Sequence, residues 1–592
     1  MQIKKIILIL LSCVLILTGC NLPFHLDTTP QAFATTINEW KWTVTPSQET
    51  SAQSQFNSTA QPTIQATEVS NPTTPTATII EPTPVQETQV VMSSPAVQGP
   101  KIYLHPGLSP GLLSQMQINS EQITNDEGTA DVIIKIRPSG TGQTDEITWV
   151  YALVSPFYTI PDEISLTDLS SFWKGGETSN SYFKQILLTA ETKSAVELLL
   201  GEASDSTVSI ISAEDLASRA ASNEAFLSIL PFEAVSPQWK ILRIDQQSPI
   251  DTNFDPSTYP LTLYIGCEGT LAGENCQLPG SNYNSELRTV IVMTGVTALT
   301  RATAYRMAIM GNTYPGKDIQ SWLSSADITH ISNEIPFAEN CPDPDPIAPS
   351  LIFCSSPDRI ELLESIGADI IELSGNHMLD YGLDAIQLTL KMYENRNWSY
   401  FAGGWDLADA QSPALITHHG NKLAFIGCNN VGPYGAFAGD GKPGATPCAG
   451  LDWMVEKIQV LRAEGYLPIA TFQYAEDYTA YPTTQMVRDF ERLADAGAIV
   501  VNGSQAHTPK LMTFYKDSFL HFGLGNLFFD QMQMTETRQE FIDRLVFYNG
   551  KLVSVELLTA MLEEYARPRP MTLQERSTFL SRIFSAATNF NE

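Results

Sequence analysis

The stretch Ile371-Glu-Leu-Ser-Gly-Asn-His-Met-Leu-Asp-Tyr-Gly382 places a polar tetrapeptide, Ser374-Gly-Asn-His377, directly after an apolar run. Ile370 to Leu373 reads as a short buried strand, and the apolar spacing of Ile360 to Asp369 before it reads as a helix. α/β proteins place their sites at the C-terminal ends of strands. Asn376 supplies an amide oxygen and His377 an imidazole, and both can contact a metal or a phosphate. A plain turn with a structural histidine is the competing reading of the same residues.

Similar junctions recur. Apolar runs end at Thr294-Gly295, at Asn333-Glu334, at Gln473 and before Gly503-Ser-Gln-Ala-His507, and Asn526 follows another. Helical spacing separates them at Leu383 to Arg396, Met454 to Glu464 and Gln485 to Ala494. Strands alternating with helices predict βαβ units around a mostly parallel or mixed sheet. Their strand-end loops can share one crevice, so Glu334, Asn376, His377, Gln473, Gln505, His507 and Asn526 are its expected lining. Asn, His and Glu drawn from separate strand ends suit metal-assisted phosphoester hydrolysis, in which a divalent ion activates water. In Glu476-Asp477, Glu476 is the better general acid or base, because neighbours on a strand point to opposite faces. Ser374 and Ser504 could be nucleophiles with His377 or His507 as base, but no G-x-S-x-G signature supports them. His330 on a strand, His418-His419 in a hairpin turn and His521 at a strand end read as structural.

The elements that carry these residues sit in a chain of 592 residues, enough for about three or four units. The net charge of −31 argues against nucleic acid, since phosphate backbones need Lys and Arg. Lys4 and Lys5 followed by Ile6 to Leu17 form an export signal whose apolar run is too short for a comfortable span. The segment 21–98, rich in Thr, Pro, Gln and Ser, reads as a disordered stalk. Folded sequence begins near Lys101. Asp131 to Ile136 and Thr148 to Val154 read as strands, and Ile164 to Gly175 as a helix capped by Ser165. Near the C-terminus, Asn549-Gly550 marks a hairpin, and Met571 to Ala587 a helix capped by Thr572. Six cysteines beyond Cys13 and Cys20 fall into local pairs: Cys267 and Cys276, Cys341 and Cys354, Cys428 and Cys448. Nearest-neighbour disulfides fit an exported chain, and no zinc spacing is present, with free thiols as the alternative.

Three resemblances follow from these motifs. Leu17-Thr-Gly-Cys20 resembles the bacterial lipobox, which implies lipidation of Cys20 and anchoring outside the cytoplasm. Residues 99–287 resemble the phosphate-type extracellular solute-binding proteins, through the strand Tyr151 to Pro156, the helix Ile164 to Gly175 and the later Tyr259-Pro-Leu. The phosphate-contacting Ser/Thr-Gly loops of those proteins are not obvious here; Ser139-Gly-Thr-Gly142 comes nearest. Residues 288–562 resemble the capsule-synthesis CapA family, linked to poly-γ-glutamate and built on a calcineurin-like metallophosphoesterase fold. Ser374-Gly-Asn-His-Met-Leu-Asp-Tyr-Gly382 matches its NNHxxDYG segment, and Phe401-Ala-Gly-Gly404 with Ala408 to Pro413 its GAG…A..P segment. Leu524-Gly-Asn-Leu-Phe-Phe-Asp-Gln531 matches its LGNFxFDQ.

The departures matter as much. The family's Gly-Asp after the first strand is Gly295-Val296 here, and valine cannot bind a metal. Its NLE becomes Ser332-Asn333-Glu334. Its HWGxEY becomes Gln473-Tyr-Ala-Glu-Asp-Tyr478, and its GHHPH keeps only His507 behind Gly503-Ser-Gln-Ala506. Glu334, His377 and His507 are left as metal ligands, with Asn376, His377 and Glu476 as catalytic candidates and Gln473, Gln505 and Asn526 as binding candidates. A two-metal centre is not expected from this set; one weakly held divalent ion, or none, is. The expected architecture is therefore α/β: a signal peptide (1–20), the stalk (21–98), a solute-binding-like unit (99–287), a CapA-like sandwich (288–562) and a helical tail (563–592). Two function classes stay open. One is a degenerate metal-dependent hydrolase acting on a surface polymer, and the other a non-catalytic protein that binds an anionic polymer or small ligand.

Overall fold

A computed structural model describes residues 99–591, apart from 143–144 and 179–180. The signal segment, Cys20 and the stalk lie outside the described residues.

The first unit is built on a seven-stranded mixed sheet. Its strands are β1 (Ile102–Leu104), β2 (Ile123–Thr124), β3 (Val132–Arg137), β4 (Ile147–Pro156), β5 (Ser228–Pro231), β6 (Trp239–Ile241) and β7 (Thr262–Glu268). They run in the order β2-β1-β3-β7-β4-β5, with β6 also on β4. Between them come α1 (Pro110–Gln115), α2 (Leu166–Trp173), α3 (Ala190–Leu200) and α4 (Ala213–Ser218). Ser165 caps α2 by accepting from the Asp168 amide, and Leu169 and Trp173 are buried on its inner face. β4 is apolar on both faces, as a central strand must be.

The second unit has two sheets. The first holds β8 (Arg288–Met293), β9 (Val296–Thr297), β10 (Ile328–Asn333), β11 (Ile370–Glu372) and β12 (Ser399–Phe401). With them come α5 (Arg301–Met310), α6 (Ile360–Ser365) and α7 (Gly382–Glu394). The other sheet has the strands β13 (Ala414–His418), β14 (Asn421–Asn429), β15 (Leu467–Gln473), β16 (Val500–Asn502), β17 (Met512–Tyr515) and β18 (Ser518–His521). Their order is β13-β14-β15-β16-β18-β17, parallel from β14 to β18. Its crossover helices are α8 (Asp452–Ala463) and α9 (Thr484–Ala496). The chain then returns to the first sheet through β19 (Asn526–Phe528), β20 (Gln539–Tyr548), β21 (Lys551–Glu563) and β22 (Arg567–Pro570), and ends in α10 (Leu573–Asn591). That first sheet runs β12-β11-β10-β8-β20-β21-β22, with β9 pairing β10 and β19.

Side-chain alternation makes this a sandwich. On β8, Ile291 and Met293 enter a core with Phe425, Phe472 and Val500 of the other sheet, whereas Val292 meets Leu363 of α6 and Leu390 of α7 on the opposite face. The molecule is thus α/β in both units, as the sequence pattern implies. Two expected boundaries dissolve. Val290, Val546 and Val553 pack into the core of the first unit, and Phe157 and Tyr158 into that of the second, so the two cores interlock across the expected boundary. Residues 563–592 are no tail: β22 completes the sheet, and Phe579, Leu580 and Ile583 of α10 are buried in the sandwich core. The amphipathic face of α10 needs that core to be stable. The three cysteine pairs are disulfide-bonded in nearest-neighbour fashion, 267–276, 341–354 and 428–448.

Candidate functional site

The parallel strands of both sheets end on the same side, and their C-terminal loops meet there. Gln473 closes β15 and donates from Nε2 to Asn376 Oδ1 at 2.9 Å. Asn429, at the end of β14, donates to Gln473 Oε1 at 2.6 Å and to the Ser374 carbonyl at 2.8 Å. His507 Nδ1 lies 2.8 Å from Asn526 Oδ1, and His507 Nε2 lies 3.8 Å from Glu334 Oε1. His377 Nδ1 lies 2.7 Å from Asp380 Oδ2. The structure therefore brings Glu334, Asn376, His377, Gln473, His507 and Asn526 together. Gly375 is obligatory in this arrangement, because a Cβ there would stand 2.6 Å from the Glu334 backbone.

The walls are aromatic. The Phe353 ring lies 4.6 Å from the His377 ring, and the Phe529 ring 5.4 Å from that of His507. The Arg301 guanidinium sits over both phenyl rings, at 4.9 and 5.0 Å, and pairs with Asp530. Glu334 is 1% exposed, and its Oε2 has no partner. For His377, burial opposes the charged ring, but the Asp380 hydrogen bond and the Glu334 and Asp380 charges outweigh it and raise its pKa.

Two expected members act elsewhere. Gln505 turns inward, donating from Nε2 to Ser332 Oγ at 2.7 Å. Glu476 is a loop brace: its carboxylate accepts from the His507 amide, the Thr508 hydroxyl and the Asp477 and Tyr478 amides. A carboxylate filled by four donors is poorly placed to shuttle a proton, so the acid/base role expected for Glu476 finds no geometric support. Ser374 and Ser504 do not face His377 or His507. Both donate to the Glu372 carboxylate, Ser374 at 2.5 Å.

Glu372 is the group that sequence reasoning passed over. It is fully buried, accepts from Ser332 Oγ at 3.2 Å as well, and lies 3.2 Å from His330 Nε2. Burial resists its ionisation, but the His330 ring and the Ser374 and Ser504 hydroxyls outweigh that and lower its pKa. A lone carboxylate inside the apolar run Ile370-Ile-Glu-Leu373 was the available signal. Asn429 was likewise within reach, as a polar residue ending the apolar strand that runs through Leu423 to Cys428.

These donors do not fit a two-metal centre. The Asn376 and Gln473 amide oxygens each already accept from a neighbouring amide, and both histidines have Nδ1 engaged. Val296 is buried in an apolar cluster with Ala298, Ile335, Phe353 and Phe529, where no ion can be held. Among the described residues no group of three His, Cys, Asp or Glu side chains converges as a metal cage.

Comparison with known proteins bears on the same region. The capsule biosynthesis protein CapA of Bacillus anthracis is 22% identical over 218 residues, covering 36% of this chain and 53% of that protein. The chain spans about half the length of the curated relatives it matches. Among solved structures, the 5'-nucleotidase precursor of Thermus thermophilus aligns with 50% of this chain and 59% of its own at 12% identity and a TM-score of 0.28. An ABC-type phosphate transport receptor from Vibrio cholerae aligns with 25% of this chain and 70% of its own at 15% identity and a TM-score of 0.21. Residues 290–531, which carry every strand end of the crevice, match the family described as bacterial capsule synthesis protein PGA_cap.

Proposed function

We propose that this protein serves in the synthesis, export or retention of a capsule polymer of the poly-γ-glutamate type, held outside the cytoplasm by a lipid on Cys20. One observation carries this reading: the capsule-family segment places Glu334, His377 and His507 in one aromatic-walled crevice in which amide pairs stand where metal ligands are expected. Such a crevice suits recognition of an anionic polyamide better than metal-assisted hydrolysis. His377, whose pKa is raised, can face a polymer carboxylate from the partly exposed edge of its ring. The disulfides favour an oxidising compartment. The competing reading, a working hydrolase with a single metal, draws on the three donor-type side chains that remain.

Metal analysis of the purified protein, run alongside a phosphodiesterase screen and a poly-γ-glutamate binding assay, separates the two. The expected result is substoichiometric metal, weak or no turnover, and polymer binding lost in Glu334→Gln and His377→Ala. Stoichiometric metal together with robust turnover abolished by His377→Ala would establish the enzyme instead.

A further inference from the structure

A cavity of about 830 Å³ opens in the first unit, far larger than the one of about 260 Å³ between α10 and β21. Its size falls in the range of pockets that hold small organic ligands. Tyr151 of β4, Leu230 of β5, Trp239 of β6 and Leu216 of α4 form its apolar wall. The polar side is formed by Ser109 before α1, by Glu191 in the first turn of α3, and by Glu233 just after β5.

The charge of this lining selects the ligand. Glu191 and Glu233 are its charged residues, and no Lys or Arg joins them. An anion entering here would lose its water without meeting a positive group and would face two carboxylates. The helix starts do not compensate. α1 and α4 are six-residue helices whose Ser109 and Ser212 caps already take amides, and α3 is capped by Thr189 and carries Glu191 in its first turn, where that carboxylate already offsets the positive end of the dipole.

Glu233 is held in place for a cation. Oε1 accepts from the Ser109 hydroxyl at 2.8 Å, and Oε2 from Asn282 Nδ2 at 2.6 Å. Both donors are neutral, so the charge of the carboxylate is uncompensated. The side chain opens to the cavity, yet desolvation by the surrounding protein outweighs these hydrogen bonds and raises its pKa. A bound ammonium would supply the missing countercharge, and the indole and phenol rings favour a cation and an apolar body alike.

We propose that this cavity binds a small organic cation, with its ammonium head at Glu233 and its apolar body against Tyr151, Leu216, Leu230 and Trp239. The proposal does not depend on the capsule reading, which concerns the other unit.

Calorimetric titration of the full chain with phenethylamine, 3-phenylpropionate and inorganic phosphate tests it. Phenethylamine should bind, and the two anions should not. Glu233→Gln should weaken the amine about tenfold or more, as loss of a charged hydrogen bond does. Glu233 also holds Ser109 and Asn282, so Ala217→Trp provides a second variant, filling the cavity from an exposed position while sparing those bonds. It should abolish binding with an unchanged melting temperature. Phosphate or phenylpropionate binding as tightly as the amine, undetectable amine binding at millimolar concentration, or full affinity in both variants would each overturn the proposal.

Discussion

Replacing Glu372 tests whether the crevice rests on a buried charge. The carboxylate is fully enclosed and takes the hydroxyls of Ser332, Ser374 and Ser504, with His330 Nε2 at 3.2 Å. Ser374 opens the loop that carries Asn376 and His377, and Ser504 the loop that carries His507, so one side chain ties the two halves of the site. Glu372→Ala leaves three buried hydroxyls and an imidazole without their acceptor, and should cost about 3–5 kcal/mol. Glu372→Gln keeps the volume and one carbonyl oxygen, to which the hydroxyls can turn. Its cost should be about 2 kcal/mol, the loss of charge assistance. Urea unfolding followed by tryptophan fluorescence and circular dichroism measures both. The folded-state pKa lies below the ordinary value, so the unfolded chain binds more protons as the solution is acidified. The contribution of Glu372 is thus present above the unfolded value of about 4.3 and declines as the pH falls from there through the lower folded value, so wild type and Glu372→Gln should converge in stability on the acid side. A Gln variant within about 0.5 kcal/mol of wild type at pH 7 would refute the argument, because that is the scatter of ordinary surface substitutions.

Other consequences are simpler to check. Peptide mapping without reductant should find the 267–276, 341–354 and 428–448 bridges, and removing any one pair should lower stability by about 2–4 kcal/mol. Cys20→Ala should release the protein from membranes or leave its signal uncleaved, as fractionation and mass spectrometry would read. Thr572→Ala should cost about 1 kcal/mol, because Thr572 Oγ1 accepts from the Glu575 amide while Glu575 reaches back to the Thr572 amide, and a double-mutant cycle with Glu575→Ala should show coupling. Val296→Asp should destabilise by about 3 kcal/mol or more without gaining metal, since it puts an unpaired charge among Ile335, Phe353 and Phe529. Thermal melts and metal analysis check both halves of that statement.

The alternation of strands and helices was legible because each element carries its own period and its own stop. α9 shows why: Met486, Phe490 and Leu493 fall on one face, Thr483 caps the start and Gly497 takes the left-handed conformation at the end. Asn549-Gly550 joins β20 to β21, with both residues at positive φ, as a two-residue turn requires. Domain limits were less legible. Nothing local in Val290, Val546 or Val553 says that their far side meets the first unit, and a C-terminal amphipathic helix looks alike whether it caps a core or hangs free.

The site was half legible for a related reason. A residue type at a strand end tells which group arrives at the crevice, but not which of its atoms remains free. Asn376 and Gln473 arrive together and satisfy each other, and Asn429 closes the chain behind them. Gln505 stands beside His507 in sequence yet points into the buried cluster of Glu372. These inward bonds are what a strand-end network can adopt once no cation competes for the amide oxygens. Neutral amides then pair with one another, and the remaining anion, Glu372, collects hydroxyls and an imidazole. Within the crevice, Glu334 keeps a buried, unpartnered oxygen close to His507, in the region walled by Arg301 and its phenyl rings. Because that oxygen is itself enclosed, the partly exposed rings of His377 and His507 are the groups that a ligand of the crevice would reach.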